Sequence, residues 1–236
     1  MQDLVSYRLA DGVATVTMDD GKANVMSLRM LQALNGALDR AEADRATVVV
    51  TGRPGMFSGG FDLAVFKTDP QALMAMLEAG ARLTERVLSF PLPVVAACTG
   101  HAIAMGAFLL LSADVRIGVD TGARIQVNEV QIGLTLPRFA VEVCRQRLTP
   151  AELNVAAITA EPYTPAQALR AGFLDEIVPV ESLAATVSAR AKRLASFDAD
   201  AFAATKARLR EPMLDSLRAA IRGDIADWTE RFGRAV

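Results

Sequence analysis

Three segments of the 236-residue sequence depart from simple core patterning in ways that suit chemistry. The first runs Gly52, Arg53, Pro54, Gly55, Met56, Phe57, Ser58, Gly59, Gly60, Phe61, Asp62, Leu63, directly after an apolar strand. Glycines at a strand end let the backbone approach a ligand closely and leave amide N–H groups free for an anion or a polarised carbonyl. Read alone, the same stretch is equally a plain surface loop. The second segment, Thr99 to Phe108, is a strand-to-helix turn of small residues whose helix N-terminus carries partial positive charge. It contains His101, the only histidine, which excludes a multi-histidine metal site and makes any Ser-His-Asp triad depend on this ring. Wedged among Gly, Ala and Ile, His101 reads more readily as structural. The third segment, Gln126 to Pro137, carries Glu129 in a poorly charged surrounding. A half-buried carboxylate with a raised pKa is a good proton shuttle, whereas a single Glu on its own is usually a solvated side chain.

The elements that must position these segments follow from pattern and punctuation. Val5, Tyr7 and Leu9 alternate with polar residues, Asp11 and Gly12 supply a turn, and Ala14, Val16 and Met18 alternate again, which predicts a hairpin. Ser27 caps a helix with an apolar stripe at Leu28, Leu31, Leu34, Leu38 and Ala41, and the run from Thr47 to Thr51 follows as a strand buried on both faces. Strand, helix, strand implies a parallel right-handed crossover. Asp69 and Pro70 open a long helix to about Ser89, and Val94 to Cys98 forms a second apolar strand ended by Thr99 and Gly100. A helix over 106–113 precedes short strands at 115–118 and 124–127. Beyond residue 149 the grammar changes: Thr149-Pro150, Thr164-Pro165 and Glu211-Pro212 each mark a helix start, Gly172 closes a helix before a strand at 174–178, and the chain from Glu181 onward is helix upon helix. The expected architecture is an α/β core over 1–180 and a helical C-terminal portion over 181–236 that packs on a neighbour.

With 25 Lys and Arg against 27 Asp and Glu, the net charge of −2 argues against sequence-blind nucleic-acid binding. A 52% hydrophobic chain can bury a core. Cys98 and Cys144, each in an apolar stretch, read as buried thiols of a reducing compartment, and no stretch reaches roughly 18 apolar residues. A soluble, cytoplasmic protein without membrane partners is expected.

Taken in register, the three segments resemble the crotonase (enoyl-CoA hydratase/isomerase) superfamily. The resemblance rests on Phe57 through Leu63, on Gly100, His101, Ala102, Ala104 and Gly106 before an apolar helix ending at Ala113, Asp114, Arg116 and Ile117, and on Asn128, Glu129, Gly133 and Pro137. It implies a spiral of β-β-α turns forming two sheets, helices that drive homotrimers or hexamers, and an acyl-CoA substrate whose thioester carbonyl is polarised by two backbone amides. Those amides fall on Phe61 and on Met105, where glycine is common in the family, and the Met105 side chain is expected to narrow the site. Hydratases of the family typically carry two glutamates; here one position is Phe108 and only Glu129 matches. A single base suits proton transfer between two carbons, so the resemblance leans to 3-enoyl-CoA to 2-enoyl-CoA isomerisation, with hydration as the alternative. Another crotonase chemistry, such as thioester hydrolysis or dehalogenation, and a catalytically silent acyl-CoA-binding subunit also stay open.

For substrate and CoA the resemblance implies Lys22 and Ala23 after the hairpin, Gly60, Asp62 and Leu63 in the first segment, and Gly106 and Phe108 in the second. The family's usual lysine after Asp62 is Ala64, with Lys67 nearby. Apolar residues near Glu129 and the stretch from Phe66 to Leu77 are expected to shape the acyl pocket, and Trp228 and Arg231 resemble a pair lent to a neighbouring subunit's CoA. No metal or redox cofactor is expected, CoA being part of the substrate.

Overall fold

The computed structural model describes residues 3–232, leaving aside the Lys67 side chain. The first spiral turn lays both its strands in a six-stranded sheet, and each of the next three lays one strand there, a second strand in a three-stranded sheet, and then a helix. The first turn is the hairpin β1 (Val5–Ala10) and β2 (Val13–Met18), followed by α1 (Leu28–Ala43). Asp11 and Gly12 both have positive φ, as a two-residue hairpin loop requires. The next turns are β3 (Thr47–Thr51), β4 (Gly55–Ser58), α2 (Pro70–Ser89); β5 (Val94–Cys98), β6 (Gly100–Ile103), α3 (Met105–Ser112); and β7 (Val115–Val119), β8 (Ile125–Gln126), α4 (Arg138–Arg147). The large sheet has the order β1-β2-β3-β5-β7-β9, parallel after the first pair, and the small sheet the order β4-β6-β8, also parallel.

The punctuation that the sequence announces is present. Ser27 Oγ accepts from Met30 N–H, the Asp69 carboxylate accepts from Gln71 and Ala72 N–H, and Thr149 and Thr164 cap α5 (Pro150–Thr159) and α6 (Pro165–Ala171). Gly172 leaves α6 at φ 100° before β9 (Glu176–Val178). Three expectations are corrected. The first segment is not a continuous loop, because β4 lies inside it. Residues 100–103 form β6 rather than a turn alone. Pro212 starts no helix: it lies inside α8 (Ala199–Phe232), which runs through it for 34 residues. A proline inside a helix loses one N–H and crowds the carbonyl four residues back, here that of Arg208.

The main core lies between the sheets and α1 to α4, and α8 shares it through Leu214, Leu217 and Ile221, packing on α2 and α4 of the same chain. A smaller cluster, with Val49, Val95 and Ile117, sits under α7 (Leu183–Ala195) on the outer face of the large sheet. Cys98 and Cys144 are buried and unpaired. No helix among the described residues is long and apolar enough to cross a membrane.

Candidate active site

The three segments meet at one end of the spiral, and the glycines show how tightly. Gly60 has φ +89°, and a Cβ there would lie 2.8 Å from the Ile103 carbonyl oxygen and 2.9 Å from the Ala104 Cβ. The chain after β4 thus lies directly against the turn between β6 and α3. A side chain at Gly106 would likewise run into Ser58, whose carbonyl oxygen is 2.6 Å from the Cβ position. The loop after β2 completes the clamp. Asn24, fully buried at φ 50°, donates from Nδ2 to the Met18, Met56 and Phe57 carbonyls, Ser58 Oγ donates to the Asn24 carbonyl, and the Ala23 carbonyl accepts from Gly59 N–H. Burial opposes ionisation of Asp20, but the amides of Asn24, Lys22 and Val25 outweigh it and hold its carboxyl below the usual range.

Two backbone donors emerge from this clamp without partners. Met26 N–H pairs with the Gly60 carbonyl at 2.7 Å, while Phe61 N–H donates to no acceptor among the described residues. Met105 opens α3, where first-turn N–H groups have no intrahelical acceptor. The turn is forced by Ala104, a non-glycine residue at φ 50° and ψ −120°, a conformation costing about 1–3 kcal/mol that its neighbours impose. Ala104 N–H is held by the Gln126 carbonyl at 2.8 Å, and its own carbonyl accepts from Phe108 N–H at 3.1 Å. Both side chains turn away from the turn itself: the Phe61 ring and Met105 Sδ pack over Gly80 of α2, where a Cβ would stand 2.6 Å and 3.3 Å from them. Met105 is fully buried and lines no part of the cavity described below, so the expected narrowing by its side chain does not occur.

Beside these donors opens a cavity of about 440 Å³, lined by Phe61 and Ala104, by Glu129, and by Leu63, Phe66 and Leu77 among others. Glu129 is 6% exposed. Burial pushes its carboxyl up to about 7, its own backbone amide opposing, and Oε2 has no hydrogen-bond partner. Its backbone is fixed by the 3-10 turn Val130–Ile132, the Glu129 carbonyl accepting from Ile132 and Leu134 N–H. Asp224 and Asp227 also line the cavity, but both pair with Arg138. Glu129 is therefore the one cavity carboxylate without a cationic partner among the described residues.

The far wall comes from α8, which sequence reasoning does not anticipate. Pro137 precedes α4 and has no side chain that can cap it; Asp224, from α8, accepts instead from Arg138 and Phe139 N–H at 2.9 and 2.8 Å. This docks Trp228, Arg231 and Phe232 onto the cavity of their own chain. Trp228 and Arg231, expected to serve a neighbour's CoA, thus line the cavity of their own chain. Phe108 stands outside the cavity, fully buried, its ring edge-on to Phe139 at 5.8 Å, and Trp228 meets Phe139 edge-on from beyond at 6.5 Å. Lys22, Ala23, Gly60, Asp62 and Gly106 surround the clamp without lining the cavity, and Leu63, 53% exposed, lies at its edge. Asp62 Oδ1 accepts from Ala64 N–H at 3.1 Å and so holds its own turn. Lys22 is exposed, with no ion pair among the described residues; the Lys67 side chain lies outside the described part. His101 Nδ1 accepts from Arg124 N–H at 3.0 Å, away from Glu129's cavity.

A free backbone donor at Phe61 on the cavity wall, a second at Met105 beside it, and a buried carboxylate without a cationic partner can together polarise a carbonyl and move a proton near it. Comparison with known proteins gives the family. The family model described as enoyl-CoA hydratase/isomerase matches residues 8–234. A probable enoyl-CoA hydratase of Rhodobacter capsulatus is 31% identical, the match covering 96% of this chain and 92% of that one. Among solved structures, an enoyl-CoA hydratase/isomerase family protein from Pseudomonas syringae is 47% identical with a TM-score of 0.93, covering 95% of this chain and 97% of that one. Human mitochondrial delta3-delta2-enoyl-CoA isomerase is 26% identical with a TM-score of 0.92, covering 98% and 92%. Sequence, spiral and clamp lead to one assignment: the chain belongs to the enoyl-CoA hydratase/isomerase family, within the crotonase superfamily.

Proposed function

We propose that the protein isomerises 3-enoyl-CoA to 2-enoyl-CoA thioesters. The observation that carries this is the solitary Glu129: the position where family hydratases carry a second glutamate is Phe108, packed into the core against Phe139. As a carboxylate, Glu129 removes a proton from C2 of the acyl chain. The electron pair passes into the thioester carbonyl, whose oxygen accepts hydrogen bonds from Phe61 and Met105 N–H. The resulting carboxylic acid returns the proton to C4, the electrons flow back from the oxygen, and the double bond settles between C2 and C3 with no water consumed. On this reading the CoA nucleotide end runs past Lys22 and Ala23, and Lys22, free of any ion pair among the described residues, meets a phosphate. Hydration is the second reading, favoured by the names of relatives such as the one from R. capsulatus.

The test is incubation with 3-enoyl-CoA and with 2-enoyl-CoA of several chain lengths, products being identified by mass and chromatography. The expected result is interconversion without gain of water. A 3-hydroxyacyl product as the main outcome would establish the hydratase reading instead.

The same reading includes a homotrimer or a dimer of trimers in the cytoplasm, where two buried, unpaired thiols are at home. Beside the Glu129 turn, Val130 and Ile132 are 49% and 42% exposed, and on the adjoining α5 Val155 and Ile158 are 39% and 65% exposed at helical spacing. Such an apolar patch suits a neighbouring copy. Light scattering of the wild type should give three or six times 25.1 kDa, and Ile158→Asp should lower it. A monomeric wild type would rule the assembly out.

A further inference from the structure

Besides Glu129, one polar side chain of the cavity wall has a buried atom without a partner, and the proton transfer gives it no task. Asn128 precedes Glu129 and lines the same cavity. Its backbone is fixed, the carbonyl accepting from Ile132 N–H at 3.2 Å. Its carboxamide is not: Oδ1 is out of reach of solvent and has no hydrogen-bond partner, and the amide nitrogen, the accessible end, makes no hydrogen bond to a described residue either. Buried polar groups in native proteins are nearly always paired. A leucine would fill this position among Ile132, Leu134 and Leu136 without leaving a polar atom unmatched, so an amide there points to a ligand group that matches it.

We infer that Asn128 is a specificity-determining residue that hydrogen-bonds an oxygen carried on the acyl chain of a bound thioester, a hydroxyl beyond the C2 to C4 unit that the isomerisation uses. This rests on the reading of the cavity as an acyl-thioester site. The thioester oxygen is already matched by the Phe61 and Met105 donors, and a plain hydrocarbon chain offers Asn128 nothing. A half-turn of the unpartnered carboxamide exchanges its oxygen and nitrogen at almost the same shape, so it can present either a donor or an acceptor, and a hydroxyl can answer both. A pocket that hydrogen-bonds a substrate group rejects analogues lacking it far more strongly than an apolar pocket rejects an extra group.

The test is equilibrium dialysis of the wild type and Asn128→Leu with hexanoyl-CoA, 5-hydroxyhexanoyl-CoA and 6-hydroxyhexanoyl-CoA, bound and free ester being quantified by mass so that any product is counted apart. The wild type should bind at least one hydroxy ester about tenfold more tightly than hexanoyl-CoA, the worth of one well-made hydrogen bond. Asn128→Leu should lose that preference while binding hexanoyl-CoA at least as well. Thermal unfolding checks that the variant folds, and Asn128→Ala carries the same comparison if it does not. Equal binding of all three esters by the wild type, or a preference that survives in the leucine variant, overturns the role of Asn128 and leaves the acyl-thioester site standing. Binding of none of them overturns the site itself and this inference with it.

Discussion

Glu129→Gln lowers turnover of enoyl-CoA by roughly 10²–10⁴-fold, the usual worth of a positioned acid-base group, while CoA-ester binding is kept. The same substitution stabilises the fold above neutral pH, and the sign follows from burial. Glu129 is 6% exposed, and burial raises its carboxyl from 4.5 to about 7. Between those values the folded protein holds a proton that the unfolded chain has released, so stability falls as pH rises through this window and the whole loss is present above it. The gap corresponds to about 3 kcal/mol, an upper bound because glutamine keeps a polar amide in the same place. Denaturation of the two proteins should therefore give nearly equal stabilities at pH 4 and a growing advantage for glutamine up to pH 8. In the wild type kcat/KM should fall tenfold per pH unit below about 7, where Glu129 becomes protonated. Turnover near the wild-type rate in Glu129→Gln would falsify the assignment of the base.

Asp114→Asn is expected to cost about 3–5 kcal/mol of stability, the usual penalty for breaking a buried ion pair by removing one partner. One carboxylate here serves three donors: Oδ2 accepts from Val94 N–H and Lys206 Nζ, each at 2.8 Å, and Oδ1 from an Arg210 terminal nitrogen at 2.8 Å. The Lys206 and Arg210 side chains are both 6% exposed. Burial draws Lys206 down to about 8, with Arg210 and Arg147 pushing the same way and Asp114 opposing. An asparagine removes the opposing charge and leaves two buried cations facing each other. Urea denaturation should show a lower midpoint with an unchanged slope. Replacing Asp114, Lys206 and Arg210 together by apolar residues of similar volume should recover much of the loss. A stability of Asp114→Asn within about 0.5 kcal/mol of wild type, the range of an ordinary surface substitution, would show that the cluster contributes little.

Both predictions turn on elements of unequal legibility in the sequence. α2 is plain because Asp69 and Pro70 mark its start and Pro91 its end, and β3 and β5 are plain because a strand covered on both faces must be apolar throughout. β4, β6 and β8 are hidden. They are four, four and two residues long, two of them open on a glycine, and their pairing, Gly55 with Gly100 and Ala102 with Ile125, joins residues far apart in the chain. Glu129 stands out as a carboxylate in a poorly charged segment, whereas the two free amides are assigned only through the family resemblance; each of the three sits where a small-sheet strand gives way to a turn. The orientation of Phe108 and Met105 into the core is not visible, because an apolar residue near a site reads the same whether it faces ligand or packing. The Asp224 cap is out of reach for a different reason: capping signals are local, and this one crosses 86 residues of sequence to Arg138.

That long-range cap also bears on biosynthesis. Domains tend to fold as the ribosome delivers them, from the N-terminus onward. The first 150 residues supply the clamp, Glu129 and most of the sheet order, yet α4 begins with unsatisfied amides until Asp224 appears, and the cavity has no outer wall until Trp228 and Phe232 follow. A nascent chain halted before α8 would carry the reactive groups without an enclosed pocket, exposing the partners of Leu217 and Ile221 on α2 and α4 to chaperones and proteases. Premature termination thus yields a species marked for removal rather than a partly competent catalyst.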